Sequence, residues 1–521
     1  MTTPDRVGQV RTVDRSWGLP WPAMLRRAGF GHRDVPVLVL FAIAYVGSLL
    51  ARINLMPGAP LWLDECWTGA VAGQPTWRAT IDQIWLDANA PLYPLMMHAW
   101  IGVFGASNAA LRAPSLLFGL ATPLLIAGWR APGLITRDRL ALATLIAVGQ
   151  QGLLQSNEAR GYTLLAFLAA GQTLAFMALI RRPNVRLAAY WAIWTSLVGL
   201  THYQALMLGA VQGLIYLFRG REAALRTWPA AFVFLPLGAE LVWHAPRLAQ
   251  FARPDVAWYS PVTLETSLSV AQVVAGNWLN LAIPACGLIL VIARRFGGAK
   301  PAAALAVSDV VLWAGGSALI ATALVMAVGA VRPSFTVRYV TPFIPGLSLL
   351  LVAGARAFAS VFKSAVVALM LIATAVSAVW TFSVAGHLRH PFTFEAASRD
   401  LMSLHPSRLV FTWDHPAQKV EAPRQYDALG GFLFRRAGST VNVTSVMVRS
   451  DEDPNLLLLA AAREPQAVIL WLYDRGVHDT AAIRHPPRLE TLDPSFGCRN
   501  YGRGGIGVLA CARAWRLASE K

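Results

Sequence analysis

The sequence predicts a polytopic α-helical membrane protein of about eleven spans, with a small extracytoplasmic α/β domain at its C-terminal end. Three observations lead there. The 521 residues are 55% hydrophobic and only 14% charged, at a mean hydropathy of +0.48, whereas a water-soluble chain carries about 25% charged residues. Apolar runs of roughly 17–25 residues, the length that crosses a bilayer core, recur over most of the chain. From about residue 387 onward the runs shorten and alternate between strand and helix patterns.

In chain order, residues 1–34 hold six arginines and no apolar core, which reads as a cytoplasmic segment and not as a cleavable signal peptide. A transmembrane domain follows over 35–386, with spans at 35–55, 111–129, 139–156, 161–180, 187–203, 205–218, 227–244, 269–293, 305–330, 339–355 and 364–385. The first external loop covers about 56–110. Within it "PLYPLMMHAWIGVF" (91–104) is too short to span and starts with two prolines, so it reads as a helix lying at the interface.

Basic clusters fix the orientation: Arg26, Arg27 and Arg33; Arg130, Arg137 and Arg139; Arg181, Arg182 and Arg186; Arg219, Arg221 and Arg226; Arg294, Arg295 and Lys300; Arg356 and Lys363. They fall at every second connection and mark the cytoplasmic face. The formal charge of +17 is therefore a topological signal, and nucleic-acid binding is not expected. Residues 387–521 then lie outside the cytoplasm. There "RLVFTW" (408–413), "VNVTSVMV" (441–448) and "AVILWLYD" (467–474) read as strands and "NLLLLAAAR" (455–463) as helix.

Four cysteines without a CxxC pair argue against a structural zinc site. In "CRNYGRGGIGVLAC" the central glycines read as a turn between two antiparallel arms, which would bring Cys498 and Cys511 into disulfide range in an oxidising compartment. Cys66 and Cys286 are expected to stay free.

The outward connections concentrate polar residues in an apolar chain: Asp64 and Glu65 in "LWLDECWTGAVAGQPTW"; Asp82, Asp87 and Asn89; "SNEARGY" (156–162); "THYQ" (201–204); Glu240 and His244; and "VRPSFTVRY" (331–339). Ionisable groups at membrane depth usually pair or line a cavity. Asp82 and Asp87 read as solvated, Glu240 and His244 as a self-satisfying i,i+4 pair, and His98 and Asp309 as structural. The rest combine carboxylates with arginines at one boundary. Guanidinium forks match phosphate oxygens, and a carboxylate can take the proton of an attacking hydroxyl. The implied chemistry is displacement at a carbon attached to a lipid-linked phosphate, with a sugar anomeric carbon the natural candidate.

These stretches resemble the membrane-embedded GT-C glycosyltransferases, in the branch of protein O-mannosyltransferases and lipid A aminoarabinose transferases. "WLDECWTGAVA" is similar to that family's acidic pair in the first external loop. "NAPLYPLMMHAWIGVFGASNAALRAPSLLFGL", "SNEARGYTLLAFL", "LTHYQALMLGAVQ" and "RPSFTVRYVTPFIPGLSLLL" resemble its later elements in order, over roughly residues 35–355. Relatives often carry His-Pro-Pro where this chain has Asn89-Ala90-Pro91.

The resemblance implies the GT-C fold and a transferase using a polyprenyl-phosphate sugar, with inversion, in a bacterial cytoplasmic membrane. Asp64 would be the catalytic base with Glu65 assisting. Arg160, Tyr162, Arg338 and Tyr339 would bind the donor phosphate. Glu158, Asn89, Tyr93, His202, Tyr203 and Arg332 would contact donor or acceptor. Divalent-metal use varies across the family, so neither a metal nor another cofactor is assigned. The partners implied are the lipid-linked donor, membrane lipids and an extracytoplasmic hydroxyl acceptor. Two other readings fit parts of the pattern: a lipid-linked sugar flippase, which needs polar groups through the depth of the membrane, and a non-catalytic interaction protein acting through its tail.

Overall fold

A computed structural model describes residues 34–55, 59–256, 261–296, 307–362, 370, 372, 374–379, 383, 394–448, 452–474, 486–502 and 506–519. The expected segment 1–34 apart from Asp34, most of the expected span 364–385, and the basic residues Arg26, Arg27, Arg33, Lys300 and Lys363 lie outside the described residues.

Helix stands at each of the first ten expected spans. Helix α1 is Val35–Leu55. The first loop holds α2 (Leu63–Ala72), α3 (Trp77–Leu86) and α4 (Leu92–Phe104). Then come α5 (Asn108–Gly128), α6 (Thr136–Val148), α7 (Gln150–Gln155), α8 (Tyr162–Arg181), α9 (Val185–Thr201) and α10 (Leu206–Arg219). Helix α11 (Leu235–Phe251) is entered through a tight turn over Trp228–Phe234. The bundle continues with α12 (Leu264–Ala275), α13 (Trp278–Phe296), α14 (Asp309–Val331) and α15 (Ile344–Phe362). Among the described residues, α1, α5, α8, α14 and the run Val337–Ser360 are each long and apolar enough to cross a bilayer.

One expected span is corrected. Residues 269–293 are not one helix: α12 and α13 meet at 86°. Gly276 takes φ 77°, a left-handed value that ends α12. The Asn277 side chain then accepts the Asn280 N–H at 2.9 Å and starts α13 in a new direction. Helix α13 crosses α15 with the two backbones in contact, because a Cβ on Gly287 would stand 2.0 Å from the Gly354 carbonyl oxygen. Small residues at such a crossing let dispersion replace the hydrophobic drive that is absent between helices in lipid.

The tail contains α16 (Phe394–Met402), β1 (Arg408–Asp414), α17 (Pro423–Arg436), β2 (Asn442–Ser445), α18 (Pro454–Ala461), β3 (Ala467–Asp474), β4 (Gly497–Asn500) and β5 (Ile506–Ala512). The sheet order is β2-β1-β3-β5-β4, parallel through β2-β1-β3 and antiparallel onward. Strand alternation divides the core in two. Leu409, Phe411, Leu470, Leu472, Val508 and Ala510 join the main core, while Val410, Ile469, Trp471, Leu509 and Cys511 form a second cluster with Leu458 and Phe496. Cys498 faces Cys511 across the β4–β5 hairpin, and the two are joined by a disulfide. Cys66 and Cys286 are free thiols.

Helix α17 clamps this domain onto α2. The Phe432 ring occupies the space where a side chain at Gly69 would be. Arg436 donates to Asn108 Oδ1 at 2.6 Å and to Glu395 Oε1 at 2.9 Å, and Glu395 Oε2 accepts the Leu61 N–H at 3.1 Å. From α11, Arg247 reaches the Leu86 carbonyl at 2.7 Å, the Val420 carbonyl at 2.6 Å and Gln425 Oε1 at 3.0 Å.

Candidate active site

The first turn of α2 presents two adjacent carboxylates in opposite directions. Glu65 is fully buried. Its Oε1 and Oε2 accept from Arg112 Nε and Nη2, both at 2.6 Å. Oε1 also takes the Ala159 N–H at 2.9 Å, and Oε2 takes the Trp62 N–H at 3.1 Å. This corrects the expected assisting role. A carboxylate with four donors and no access to the cavity is a post that fixes the start of α2 against α5 and the 156–161 loop. Arg112 was not singled out in the sequence, although it sits in the "RAPS" element that the resemblance used.

Asp64 faces the other way, into a cavity. Its Oδ2 accepts from Arg338 Nη1 at 2.8 Å, with Arg160 Nη2 3.9 Å away. Arg160 also donates from Nη1 to the Asp64 carbonyl at 3.4 Å. These three side chains come from residues 64, 160 and 338, and only the fold joins them. The loop that carries Arg160 is pinned at two points: Glu65 holds the Ala159 N–H, and Ser115 Oγ donates to the Arg160 carbonyl at 3.0 Å. Arg338 sits on the short 3₁₀ helix Val337–Phe343 that leads into α15. Aromatic faces steady both guanidinium groups. Arg160 and Arg338 lie 6.0 and 5.9 Å from the Tyr162 ring, and Arg338 lies 5.7 Å from Trp62. Tyr339 packs edge-on to His202 at 4.7 Å, with Tyr162 6.2 Å from His202.

The cavity has a volume of about 510 Å³ and is lined by Asp64, Asn89, Arg160, His202, Tyr203, Arg332, Arg338 and Tyr339. An inner recess of about 50 Å³ adds Tyr93 and Tyr162. Tyr93 is buried, with its hydroxyl 3.4 Å from Ser115 Oγ and its ring against Gly161, so it backs the Arg160 loop as well as lining the recess. Tyr203 donates to Glu240 Oε1 at 2.5 Å and lies 2.6 Å from His244 Nδ1. Glu240 and His244 do meet at 3.6 Å as an i,i+4 pair. His244 Nε2 donates to the Asp87 carbonyl at 2.9 Å, which ties α11 to the first loop.

Asp87 is a second correction. It is not a solvated loop acid: it lines the cavity and its inner recess, largely buried, and its carboxylate accepts from Trp67 Nε1 at 3.0 Å, Asn89 Nδ2 at 2.8 Å and the Ala88 N–H at 2.7 Å. Asn89 is thereby oriented at the cavity wall.

Glu158 lies behind the arginines. Its Oε2 is buried without a hydrogen-bond partner among the described residues. Burial, with the charges of Glu65 and Asp64, pushes its carboxyl up to about 7, against the pull of Arg338 and Arg160.

The tail contributes the far wall, through Trp413, Ala417 and Glu421. The Trp413 ring lies 6.0 Å from that of Trp67. Glu421 accepts from Tyr426 at 2.5 Å and pairs with His415 at 2.9 Å. Burial alone would raise its carboxyl, but His415, Tyr426 and Arg247 outweigh burial and hold it below the usual carboxylate range. A further recess of about 40 Å³ reaches Tyr162 from inside the bundle, past Leu145, Ile146, Val273, Val274 and Ile344. Among the described residues no three His, Cys, Asp or Glu side chains gather as a metal site would require.

No protein-family model matches the chain, and no curated protein matches it. Solved structures do. The crystal structure of ArnT from Cupriavidus metallidurans bound to undecaprenyl phosphate aligns at a TM-score of 0.53 and 14% identity, over 91% of this chain and 97% of ArnT. The apo state of the same protein aligns at 0.54 and 14% identity, over 92% and 98%. The cryo-EM structure of the arabinofuranosyltransferase AftD from Mycobacteria aligns at 0.51 and 15% identity, over 91% of this chain and 40% of AftD. ArnT and AftD are GT-C proteins. This chain has the GT-C membrane fold, and at 91% of its length the likeness reaches into its C-terminal domain.

Proposed function

On the premise of the GT-C fold, we propose that this protein is a glycosyltransferase that moves a sugar from a polyprenyl monophosphate to a hydroxyl acceptor outside the cytoplasm. The observation that carries the reading is the contact of Asp64 with Arg338 and Arg160 at one accessible cavity. The acceptor oxygen attacks the anomeric carbon. The bond from that carbon to the phosphate oxygen breaks, and its electron pair leaves with the phosphate. The acceptor proton passes to Asp64. Arg338 and Arg160 then hold the phosphate, where guanidinium–phosphate contacts are strong and directional. Inversion requires attack on the face opposite the phosphate, so Asp64 and the arginines, in contact at 2.8 Å and 3.9 Å, must part to flank the anomeric carbon. ArnT in complex with undecaprenyl phosphate supports a polyprenyl phosphate as carrier.

The arginine clusters support an orientation with the cavity and residues 387–521 outside the cytoplasm, in a bacterial inner membrane. Trp413 and Glu421 then make the tail part of the wall that meets the acceptor. The test is a panel of polyprenyl-phosphate sugars given to membranes holding the protein, together with cell-envelope extract. One sugar should be transferred with release of polyprenyl phosphate, and Asp64→Asn membranes should transfer it about 10²–10⁴-fold more slowly. Absence of turnover across the panel, or equal turnover in Asp64→Asn, would overturn the assignment.

A further inference from the structure

The opposite end of the bundle carries a second charged cleft that transfer chemistry does not use. Helix α8 starts at Tyr162 beside the cavity and ends at Arg181, about 30 Å away at 1.5 Å per residue. At that end a cleft of about 770 Å³ is lined by Arg130, Arg139, Arg181 and Arg182, and no carboxylate lines it among the described residues. Of the nearby acids, Asp34 pairs with Arg137 at 3.1 Å and lies within electrostatic reach of Arg139, and Asp138 pairs with Arg356 at 2.5 Å.

Basic connections at this end are expected from topology alone, but they would not need a built wall. This cleft has one. Arg139 is buried, with Nη1 donating to the Ala127 carbonyl at 3.3 Å and Nη2 to Thr136 Oγ1 at 3.2 Å. The loop between α5 and α6 is fixed against the foot of α14. Gly133 takes φ 83° there, and a Cβ on it would stand 2.6 Å from Ser308 Oγ. Beside the cleft Trp129 stacks on Tyr190 at 5.6 Å, an aromatic pair of the kind found at headgroup depth. Ile135, Val185, Tyr190 and Ile193 are exposed along the same flank. Arginines in a cleft with an exposed apolar flank fit an amphiphile better than a free anion.

We propose that this cleft binds the phosphodiester headgroup of an anionic glycerophospholipid, with the acyl chains along the exposed face of α9. Basic pockets between membrane helices take such headgroups, and each arginine near an anionic surface contributes about fivefold in affinity.

The experiment is native mass spectrometry of the purified full chain, given equimolar phosphatidylglycerol and phosphatidylcholine. Wild type should retain phosphatidylglycerol preferentially. Arg181→Gln with Arg182→Gln should reduce that preference by at least about fivefold, Arg181→Lys with Arg182→Lys should keep most of it, and all should melt alike. Both pairs of substitutions are exposed, and Arg130→Gln gives an independent third variant. Millimolar inorganic phosphate should not displace the lipid. No preference in wild type, an unchanged preference in the glutamine variants, or displacement by phosphate alone would overturn the proposal. Donor binding at the far cavity is indifferent to all of these outcomes.

Discussion

The two sides of the first turn of α2 use the same chemical pair, carboxylate with guanidinium, for opposite ends. On the inner side Glu65 and Arg112 are 0% and 4% exposed and meet through two hydrogen bonds, with two backbone N–H groups filling the carboxylate. On the cavity side Asp64, Arg160 and Arg338 are 15%, 15% and 23% exposed, with one contact at 2.8 Å and one at 3.9 Å. A dry, saturated pair cannot be exchanged, because parting it strands a charge in low dielectric. A pair that lines a cavity can be exchanged when a charged ligand enters, because the ligand's phosphate replaces the carboxylate as the arginines' partner. Fold stability calls for the first kind, and a base whose arginines must also receive a phosphate calls for the second.

The largest effect that sharpens this contrast is on rate. Asp64→Asn should lower sugar transfer by about 10²–10⁴-fold, the usual worth of a general base, with an unchanged melting temperature. Glu65→Gln should do the reverse in kind. It leaves Arg112 without its counter-charge and should destabilise the fold by about 3–5 kcal/mol, seen as a lowered melting temperature before any kinetic measurement. If Glu65→Gln melts like wild type yet loses catalysis, the division between the two carboxylates is wrong.

Next in size are the arginines. Arg338→Ala and Arg160→Ala should each weaken binding of a polyprenyl-phosphate sugar by about 1.5–3 kcal/mol, measured by titration of the purified protein. Unchanged affinity in both would remove them from the phosphate site.

A smaller effect is expected with pH. Glu158 is held up to about 7, so below that pH it is neutral and above it adds a negative charge behind the arginines. The donor phosphodiester keeps its charge throughout. Donor affinity should therefore fall several-fold as pH rises from about 6 to about 8, through a carboxyl well above its ordinary range. Glu158→Gln should flatten that slope, and an equal slope in the variant would assign it to another group.

Much of this was legible in the sequence because membrane chains make polar residues conspicuous. Asp64 stood out in the first external loop and Arg160 and Arg338 in short connections, and their gathering at one end followed from the alternation of basic clusters. The strands at 408, 442 and 467 followed from short β-branched and aromatic runs. What was not legible depends on partners distant in sequence. Glu65 reads like Asp64 until Arg112 and the Ala159 N–H are seen to enclose it. Asp87 reads as a loop acid until Trp67 and Asn89 close over its carboxylate. The break at Gly276 was masked by continuous hydropathy on both sides, although a glycine before Asn277 was the available signal. Trp413 and Glu421 carry no local mark of a site, and only the docking of α17 on α2 brings them to the cavity.

The claim that Asp64 and the donor phosphate share the same two arginines is tested most directly by donor affinity in Asp64→Asn. Removing the carboxylate's charge frees Arg338 and Arg160 without removing them. Titration of purified wild type and Asp64→Asn with a polyprenyl-phosphate sugar should show the variant binding at least as tightly while it fails to turn over. Affinity weakened by about tenfold or more, or 1.4 kcal/mol, would mean that Asp64 helps to hold the donor, and the exchange of arginines between base and phosphate would be contradicted.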